Sequence, residues 1–100
     1  MVTAQIDIPT ERLKEFCERY KIRRLALFGS VIRDDFRLES DLDILVVFHP
    51  EALVTFMTLG RMKRELTELF QRPVDLVPQI GLKTAIRESI LSSAQEIYAS

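Results

Sequence analysis

Two short apolar runs separated by a polar stretch constrain the fold of this 100-residue chain more than any other feature. The first run covers residues 25–28 and the second covers residues 41–48. Short apolar runs bounded by turn residues are typical of buried strands. Because side chains alternate between the two faces of a strand, Asp41 and Asp43 should project to one face and Leu42 to the other.

Two neighbouring carboxylates at the start of a buried strand repel each other unless a cation lies between them. Their hard oxygen atoms suit Mg²⁺, which takes one or two carboxylates and completes its coordination with water and phosphate oxygens. Gly29 and Ser30 directly follow the first apolar run and offer the other half of a phosphate site. Glycine lets a backbone approach a ligand closely, and serine can cap a helix whose free N–H groups attract anions.

The spacing of these residues resembles the signature of the nucleotidyltransferase superfamily typified by DNA polymerase beta. Gly29 and Ser30 are followed by residues 31–40 and then by the Asp-x-Asp pair of Asp41 and Asp43. The predicted context matches as well: a strand, a Gly-Ser turn, a short helix, a polar loop and a second strand. Either motif alone is weak, but the two together at this spacing are a specific signal.

The remaining elements follow from periodicity and turn residues. We predict helices over residues 10–20, 53–70 and 82–92, a short helix over 31–36 and a third strand over 74–77. Residues 95–99 either continue the last helix or form a closing strand. Helices and strands that alternate through short connections predict an α/β (α+β) fold, in which helices pack on a small mixed sheet.

Four local features refine this prediction. Thr10 is the expected N-cap of the first helix, and Asp7 with Pro9 at an early helix position is an alternative start. Residues 21–24 are expected to form a polar connection to the first strand. Gly60 lies inside the longest predicted helix, where glycine costs about 1 kcal/mol relative to alanine. It therefore either allows close packing or breaks the helix. In the last helix, Leu82, Ile86 and Ile90 should lie on one apolar face.

Composition limits the class of protein. With 14 basic and 15 acidic residues and a net charge of −1, the chain shows no basic excess that would favour direct nucleic-acid binding. Cys17 is the only cysteine, so we expect a small buried hydrophobe in a reducing compartment rather than a disulfide or a nucleophile. No signal-peptide pattern and no apolar run of ~20 residues is present. We predict one cytoplasmic domain over residues 1–100, without a membrane segment.

Two further residues are candidates for the site. Asp75 interrupts the third apolar run, and a buried aspartate is rare unless it is paired, protonated or near a metal. The alternative is a solvated aspartate at an exposed strand edge. Arg33 lies roughly one helical turn after Ser30, so its guanidinium group would reach the same anion. The alternative is a surface pair with Asp34 or Asp35.

Three carboxylates beside a Gly-Ser anion site favour phosphoryl or nucleotidyl transfer. In a two-metal site, ions about 3.5–4 Å apart stabilise both the attacking and the leaving oxygen. Asp41 and Asp43 would hold the metals on a triphosphate, and Asp75 would bind the second metal and help to deprotonate the incoming hydroxyl. The Gly-Ser turn and Arg33 would hold the β- and γ-phosphates. We expect the three aspartates at adjacent strand positions of the sheet.

Residues 9–98 resemble the minimal nucleotidyltransferase (MNT) family, the antitoxin half of HEPN/MNT toxin–antitoxin pairs, through the segments LFGS, SDLDILV and VDLV. The resemblance implies two Mg²⁺ ions (or Mn²⁺), ATP as substrate, and a HEPN ribonuclease toxin as partner. It further implies that AMP is transferred to a tyrosine of that toxin, which silences it. The implied site residues are Gly29 and Ser30 for phosphate, Asp41 and Asp43 for metal, and Asp75 as the third carboxylate.

The chain departs from the family at two positions. Val31 and Asp34 stand where many members have Arg and Gly, which predicts weaker binding of the triphosphate. Two alternatives to AMP transfer remain open. One is an antitoxin that neutralises its toxin by occlusion alone, and the other is a small-molecule nucleotidyltransferase. The intact set of three aspartates favours the enzyme, since occlusion needs no acidic cluster.

Overall fold

A computed structural model describes residues 2–3, 6–29 and 41–100 of the chain. The strands within these ranges are β1 (Val2–Thr3), β2 (Ile6–Asp7), β3 (Ile22–Phe28), β4 (Leu42–Phe48), β5 (Val74–Pro78) and β6 (Gln95–Ala99). The helices are α1 (Thr10–Arg19), α2 (Phe56–Phe70) and α3 (Thr84–Ser93), with a 3₁₀ turn at Gln79–Gly81. The short helix predicted over residues 31–36 lies outside the described residues.

A four-stranded mixed sheet in the order β5-β4-β3-β6 forms the centre of the fold. Strand β3 pairs antiparallel with β4 and β6, whereas β4 pairs parallel with β5. Residues 25–27 and 44–46 are buried without interruption, so the middle of each central strand is covered on both faces. This is why the sequences of the two strands are continuous apolar runs rather than alternating apolar and polar residues. The predicted mixed sheet with helices packed on it is confirmed.

The main hydrophobic core lies on one face of this sheet. There α1 packs against β3 and β6, and α2 packs against β5. Full burial of one aliphatic side chain contributes roughly 1.5–3 kcal/mol. Since Leu42 and Ile44 belong to this core, Asp43 between them points to the opposite face of β4. Large side chains that are almost fully buried are Leu13, Ile22, Leu25, Leu27, Leu42, Ile44, Leu45, Val46, Met62, Leu66 and Val74.

The longest described helix, α2, has well-defined ends. Thr55 caps its start by accepting a hydrogen bond from the Thr58 N–H at 3.2 Å, so the helix begins at Phe56 rather than at the predicted residue 53. Gln71 ends it in the left-handed conformation. Gly60 lies within an uninterrupted helix, which excludes the predicted alternative of a break. Among the described helices, none is long and apolar enough to cross a membrane.

Two predictions near the start of the chain are corrected. Strand β3 begins at Ile22, so the predicted polar connection is wrong beyond Lys21. An arginine is accommodated inside this strand because the Arg24 Nε lies 2.6 Å from a carboxylate oxygen of Glu96 on the neighbouring strand. The cap of α1 is Pro9 rather than Thr10, whose hydroxyl donates to a backbone carbonyl instead of accepting from the helix.

The C-terminal segment resolves one alternative and contradicts one prediction. Residues 95–99 form β6, a closing strand, rather than an extension of the last helix. The last helix begins at Thr84, so Leu82 of the predicted apolar face lies before it, and the face itself is not buried, because α3 has no buried residue and Ile86 is 51% exposed.

Candidate active site

The register of β4 and β5 brings two of the predicted carboxylates together. Asp43 and Asp75 are paired residues of the two parallel strands, so their side chains emerge on the same face. Neighbouring strands are about 4.8 Å apart, which sets the spacing of the two backbones. On its other side Asp43 pairs with Phe28, the last residue of β3. The expected adjacency of Asp43 and Asp75 is confirmed.

Asp41 and Asp43 flank a fully buried leucine at the start of β4. Leu42 is 0% exposed and anchors this strand end in the core, and its N–H donates to the Pro73 carbonyl at 2.8 Å. Asp41 is exposed and Asp43 is half-buried. The buried leucine therefore fixes the strand end and leaves the aspartates on its two sides directed away from the core.

Gly29 meets the half-buried Asp43 at the end of β3. Its φ of +77° lies in the left-handed region that L residues with a side chain rarely adopt. A Cβ built at this position would overlap Oδ2 of Asp43 and lie 3.1 Å from its Cγ. The positive φ and the lack of room for a Cβ beside Asp43 therefore both require glycine at this position. Within the described residues, Gly29 allows the end of β3 to lie close to the Asp43 carboxylate.

Asp75 lies in β5, an edge strand of the sheet, and it is exposed. This position agrees with the alternative of a solvated aspartate at a strand edge. Asp75 is nevertheless paired with Asp43 of the neighbouring strand, and its exposed side chain is accessible to another molecule. The environment alone does not separate the two interpretations, and the catalytic role of Asp75 stays a prediction.

The carboxylates fit a hard divalent cation in their chemistry, since three oxygen donors lie on or beside one sheet face. They do not form a closed cluster: within residues 2–3, 6–29 and 41–100, no three His, Cys, Asp or Glu side chains converge as a metal-binding group. The strand register brings Asp43 and Asp75 side by side. Asp41 lies two residues before Asp43 and is exposed. The metal assignment stays a prediction. Ser30 and Arg33, the other predicted phosphate ligands, lie outside the described residues.

Cys17 is fully buried, and burial raises the pKa of its thiol to about 12, with a smaller contribution from the neighbouring Glu18. A thiol with this pKa is protonated at neutral pH, so it is not a nucleophile. The prediction of a small buried hydrophobe is confirmed.

Sequence reasoning gave no role to Arg72, which precedes the strand that carries Asp75. The next residue, Pro73, accepts the backbone hydrogen bond from Leu42. Arg72 therefore lies near the start of both carboxylate-bearing strands, and its Nη1 atom is buried. A basic residue two positions before an Asp-containing strand was the available signal in the sequence.

A family model for the nucleotidyltransferase domain matches residues 10–97. The chain belongs to this family. The protein adenylyltransferase MntA of Thermococcus cleftensis is 34% identical to this nucleotidyltransferase over 85 residues, which cover 85% of this chain and 84% of MntA. The chain is thus a homologue of a protein adenylyltransferase.

Solved structures agree with this assignment. A solved structure described as that of a minimal nucleotidyltransferase is 36% identical to this chain, with a TM-score of 0.71, and the match covers 85% of each chain. The MNT antitoxin fold also recurs in a complex with the tri-AMPylated HEPN toxin of Shewanella oneidensis, at 17% identity and a TM-score of 0.65. That match covers 91% of this chain and 70% of the other, and it shows a common fold.

Proposed function

We propose that this nucleotidyltransferase transfers AMP from ATP to a tyrosine hydroxyl of a partner HEPN ribonuclease and thereby silences it. The observation that carries the proposal is the pairing of Asp43 with Asp75 beside the glycine turn that ends β3. The relationship to a protein adenylyltransferase supports AMP as the transferred group. The tri-AMPylated HEPN toxin bound to a protein of the same fold supports a HEPN partner.

Each candidate site residue would have its own role in the transfer of AMP. Asp41 and Asp43 would hold Mg²⁺, with Asp75 as a ligand of a second ion. Bound Mg²⁺ would neutralise the triphosphate charge and stabilise the attacking and leaving oxygens. Gly29 keeps the end of β3 close to Asp43, which holds that carboxylate at the centre of the site. Ser30 and Arg33 would contact the β- and γ-phosphates.

Asp75 would receive the proton of the acceptor. The tyrosine oxygen forms a bond to the α-phosphorus of ATP while the bond between that phosphorus and the bridging oxygen breaks, which releases pyrophosphate. The phenolic proton passes to the Asp75 carboxylate, which is exposed on an edge strand and so accessible to a side chain of another protein. A phenol with a pKa near 10 gives up this proton more readily than an aliphatic alcohol does.

Intact-mass spectrometry of the partner tests the proposal. A HEPN ribonuclease toxin is incubated with the chain, ATP and Mg²⁺, and its mass and ribonuclease activity are measured. We expect one or more AMP additions on tyrosine and loss of ribonuclease activity, and Asp41→Ala should prevent both. A partner that is silenced without modification, equally well by Asp41→Ala, would show occlusion instead. Transfer to free small acceptors but not to the partner would identify a small-molecule enzyme.

A further inference from the structure

Phe28 lies in one row across the sheet with two of the candidate metal ligands. Asp43 pairs with Phe28 of β3 on one side and with Asp75 of β5 on the other. Paired residues of neighbouring strands project to the same face, with their Cβ atoms about 4.5–5.5 Å apart. The row therefore runs from an aromatic side chain to two carboxylates, and Phe28 is about as close to Asp43 as Asp75 is.

Phe28 does not belong to the main hydrophobic core. The preceding residue, Leu27, is 0% exposed and lies in that core, so alternation along β3 directs Phe28 to the other face of the sheet. Within the described part of the chain, Phe28 is neither a core residue nor one of the partly buried side chains that pack against the core. It is half-buried. This large aromatic side chain is thus directed to the face that carries the carboxylates.

The sheet face around Asp43 is apolar on the side of β3. Leu45, two residues further along β4, is 1% exposed, and its partner Ala26 in β3 is 0% exposed. We call Ala26, Phe28 and Leu45 the apolar border of the site. Because Ala26 and Leu45 are buried, Phe28 is the member of the apolar border that stays partly open beside Asp43. Apolar surroundings of this kind control the access of water to a metal ligand.

Gly29 shows toward which strand the Asp43 carboxylate is directed. A Cβ built on Gly29 would overlap Oδ2 of Asp43, so this oxygen lies against the backbone that directly follows Phe28. The two neighbouring residues therefore have complementary effects on one carboxylate: Gly29 leaves room for it, and Phe28 places an apolar side chain beside it. Apolar surroundings lower the effective dielectric constant, which strengthens the attraction between a carboxylate and a cation.

We propose that Phe28 is a positioning residue that acts on the metal site through Asp43. Its side chain excludes water from the β3 side of the carboxylate and restricts the orientations that Asp43 can adopt. The inference rests on the proposed function, because it takes Asp43 as a ligand of the metal. The side chain of Phe28 has no oxygen or nitrogen atom to offer a cation, so its contribution appears in how tightly Asp43 binds the ion. Loss of a residue that supports a metal ligand typically costs about 10–100-fold in metal affinity.

Mn²⁺ binding to the chain tests the proposal, because it requires neither nucleotide nor partner. The electron paramagnetic resonance signal of free Mn²⁺ gives the Kd, and circular dichroism gives the Tm of each variant. Phe28→Leu removes the ring and should raise the Kd about tenfold, the low end of the expected range. Phe28→Tyr keeps the ring and should have the wild-type Kd. If Phe28→Leu does not fold, Phe28→Met is used with the same expectation, because the flexible methionine side chain has no fixed shape.

Phe48→Leu is the matched control. Phe48 is a half-buried phenylalanine at the opposite end of β4, about 16 Å from Asp43 along the strand, and it packs against the core. The same substitution there should lower the Tm at least as much as Phe28→Leu does and leave the Kd for Mn²⁺ unchanged. A purely structural role of Phe28 predicts instead that the two variants have the same effect on the Kd.

Two aspartate variants show through which ligand Phe28 acts. In the Asp75→Asn background the Asp43 carboxylate remains, so Phe28→Leu should still raise the Kd about tenfold. In the Asp43→Asn background the residual binding depends on the other carboxylates, so Phe28→Leu should change the Kd by less than about twofold.

A wild-type Kd in Phe28→Leu would overturn the proposal, as would an equal rise in Phe48→Leu or an undiminished rise in the Asp43→Asn background. The proposed function has a separate outcome. Phe28-dependent Mn²⁺ binding without AMP transfer to a HEPN ribonuclease toxin would refute that function and support the role of Phe28. AMP transfer together with an unchanged Mn²⁺ affinity of Phe28→Leu would support the function and overturn the positioning role.

Discussion

Replacing Gly29 with alanine tests whether the end of β3 is specified by the carboxylate site rather than by the core. The left-handed conformation of this residue costs an alanine about 1–2 kcal/mol. The new Cβ would also overlap the Asp43 carboxylate, and forcing that side chain away from a rotamer costs roughly 0.5–1.5 kcal/mol. We therefore expect Gly29→Ala to lower the free energy of unfolding by about 2–3 kcal/mol.

Gly60→Ala is the matched control, since it makes the same chemical change at the other glycine whose surroundings are described. Gly60 has ordinary helical backbone geometry and open space around its Cα. Alanine should therefore raise the free energy of unfolding, by roughly 0.5–1 kcal/mol. Two substitutions of the same kind are thus expected to have opposite signs.

Urea denaturation followed by circular dichroism measures both effects, and thermal melting provides a second readout. For a domain of this size, 1 kcal/mol corresponds to roughly 4–8 °C in Tm. The steric part is isolated by repeating Gly29→Ala in an Asp43→Ala background, where the overlapping carboxylate is absent. We expect the cost there to fall to the backbone contribution of about 1–2 kcal/mol. Equal effects at the two glycines, or a cost unchanged by Asp43→Ala, would refute the reasoning.

Two further predictions concern the carboxylates. Mg²⁺ with ATP at 100 times its Kd should stabilise the fold by roughly 2.7 kcal/mol. Asp43→Asn should remove most of this gain without destabilising the ligand-free protein, because it relieves repulsion with the paired Asp75; an unchanged melting shift would count against Asp43 as a metal ligand. Asp75→Ala should reduce the rate of AMP transfer far more than the affinity for ATP, measured by single-turnover kinetics and equilibrium binding. Transfer at the wild-type rate would leave Asp75 as a solvated edge residue.

The sequence alone determined the central strands and the residues of the site that meet there. Continuous apolar runs specify strands that are buried on both faces, and this pattern needs no knowledge of the neighbours. The Asp-x-Asp spacing predicted that the two aspartates project to one side, because strand side chains alternate, and the structure places Asp43 within β4 and Asp41 directly before it. Asp75 interrupted an apolar run, which marked it as unusual before its register with Asp43 was visible.

The boundaries that failed depend on contacts between distant parts of the chain. The start of β3 at Ile22 was missed because the charged residues beside it suggested a loop, whereas Glu96 on the neighbouring strand accommodates Arg24. Similarly, the spacing of Ile86 and Ile90 indicates a buried helix face only if a surface is available to cover it. In the structure, α1 and α2 pack on the sheet, and α3 has no buried residue.

Only the tertiary structure decided what Gly29 and Gly60 do. The sequence predicted that Gly29 lets the backbone approach a ligand and that Gly60 either allows close packing or breaks a helix, but it did not show what surrounds either residue. In the fold, Gly29 has a positive φ and lies against the Asp43 carboxylate, whereas Gly60 lies on an open helix face beside exposed apolar residues. The hydrophobic periodicity of a short stretch indicates its secondary structure, and this periodicity depends only on residues that are close together in the sequence. The surroundings of a side chain depend on long-range packing, and no short stretch of sequence contains that information.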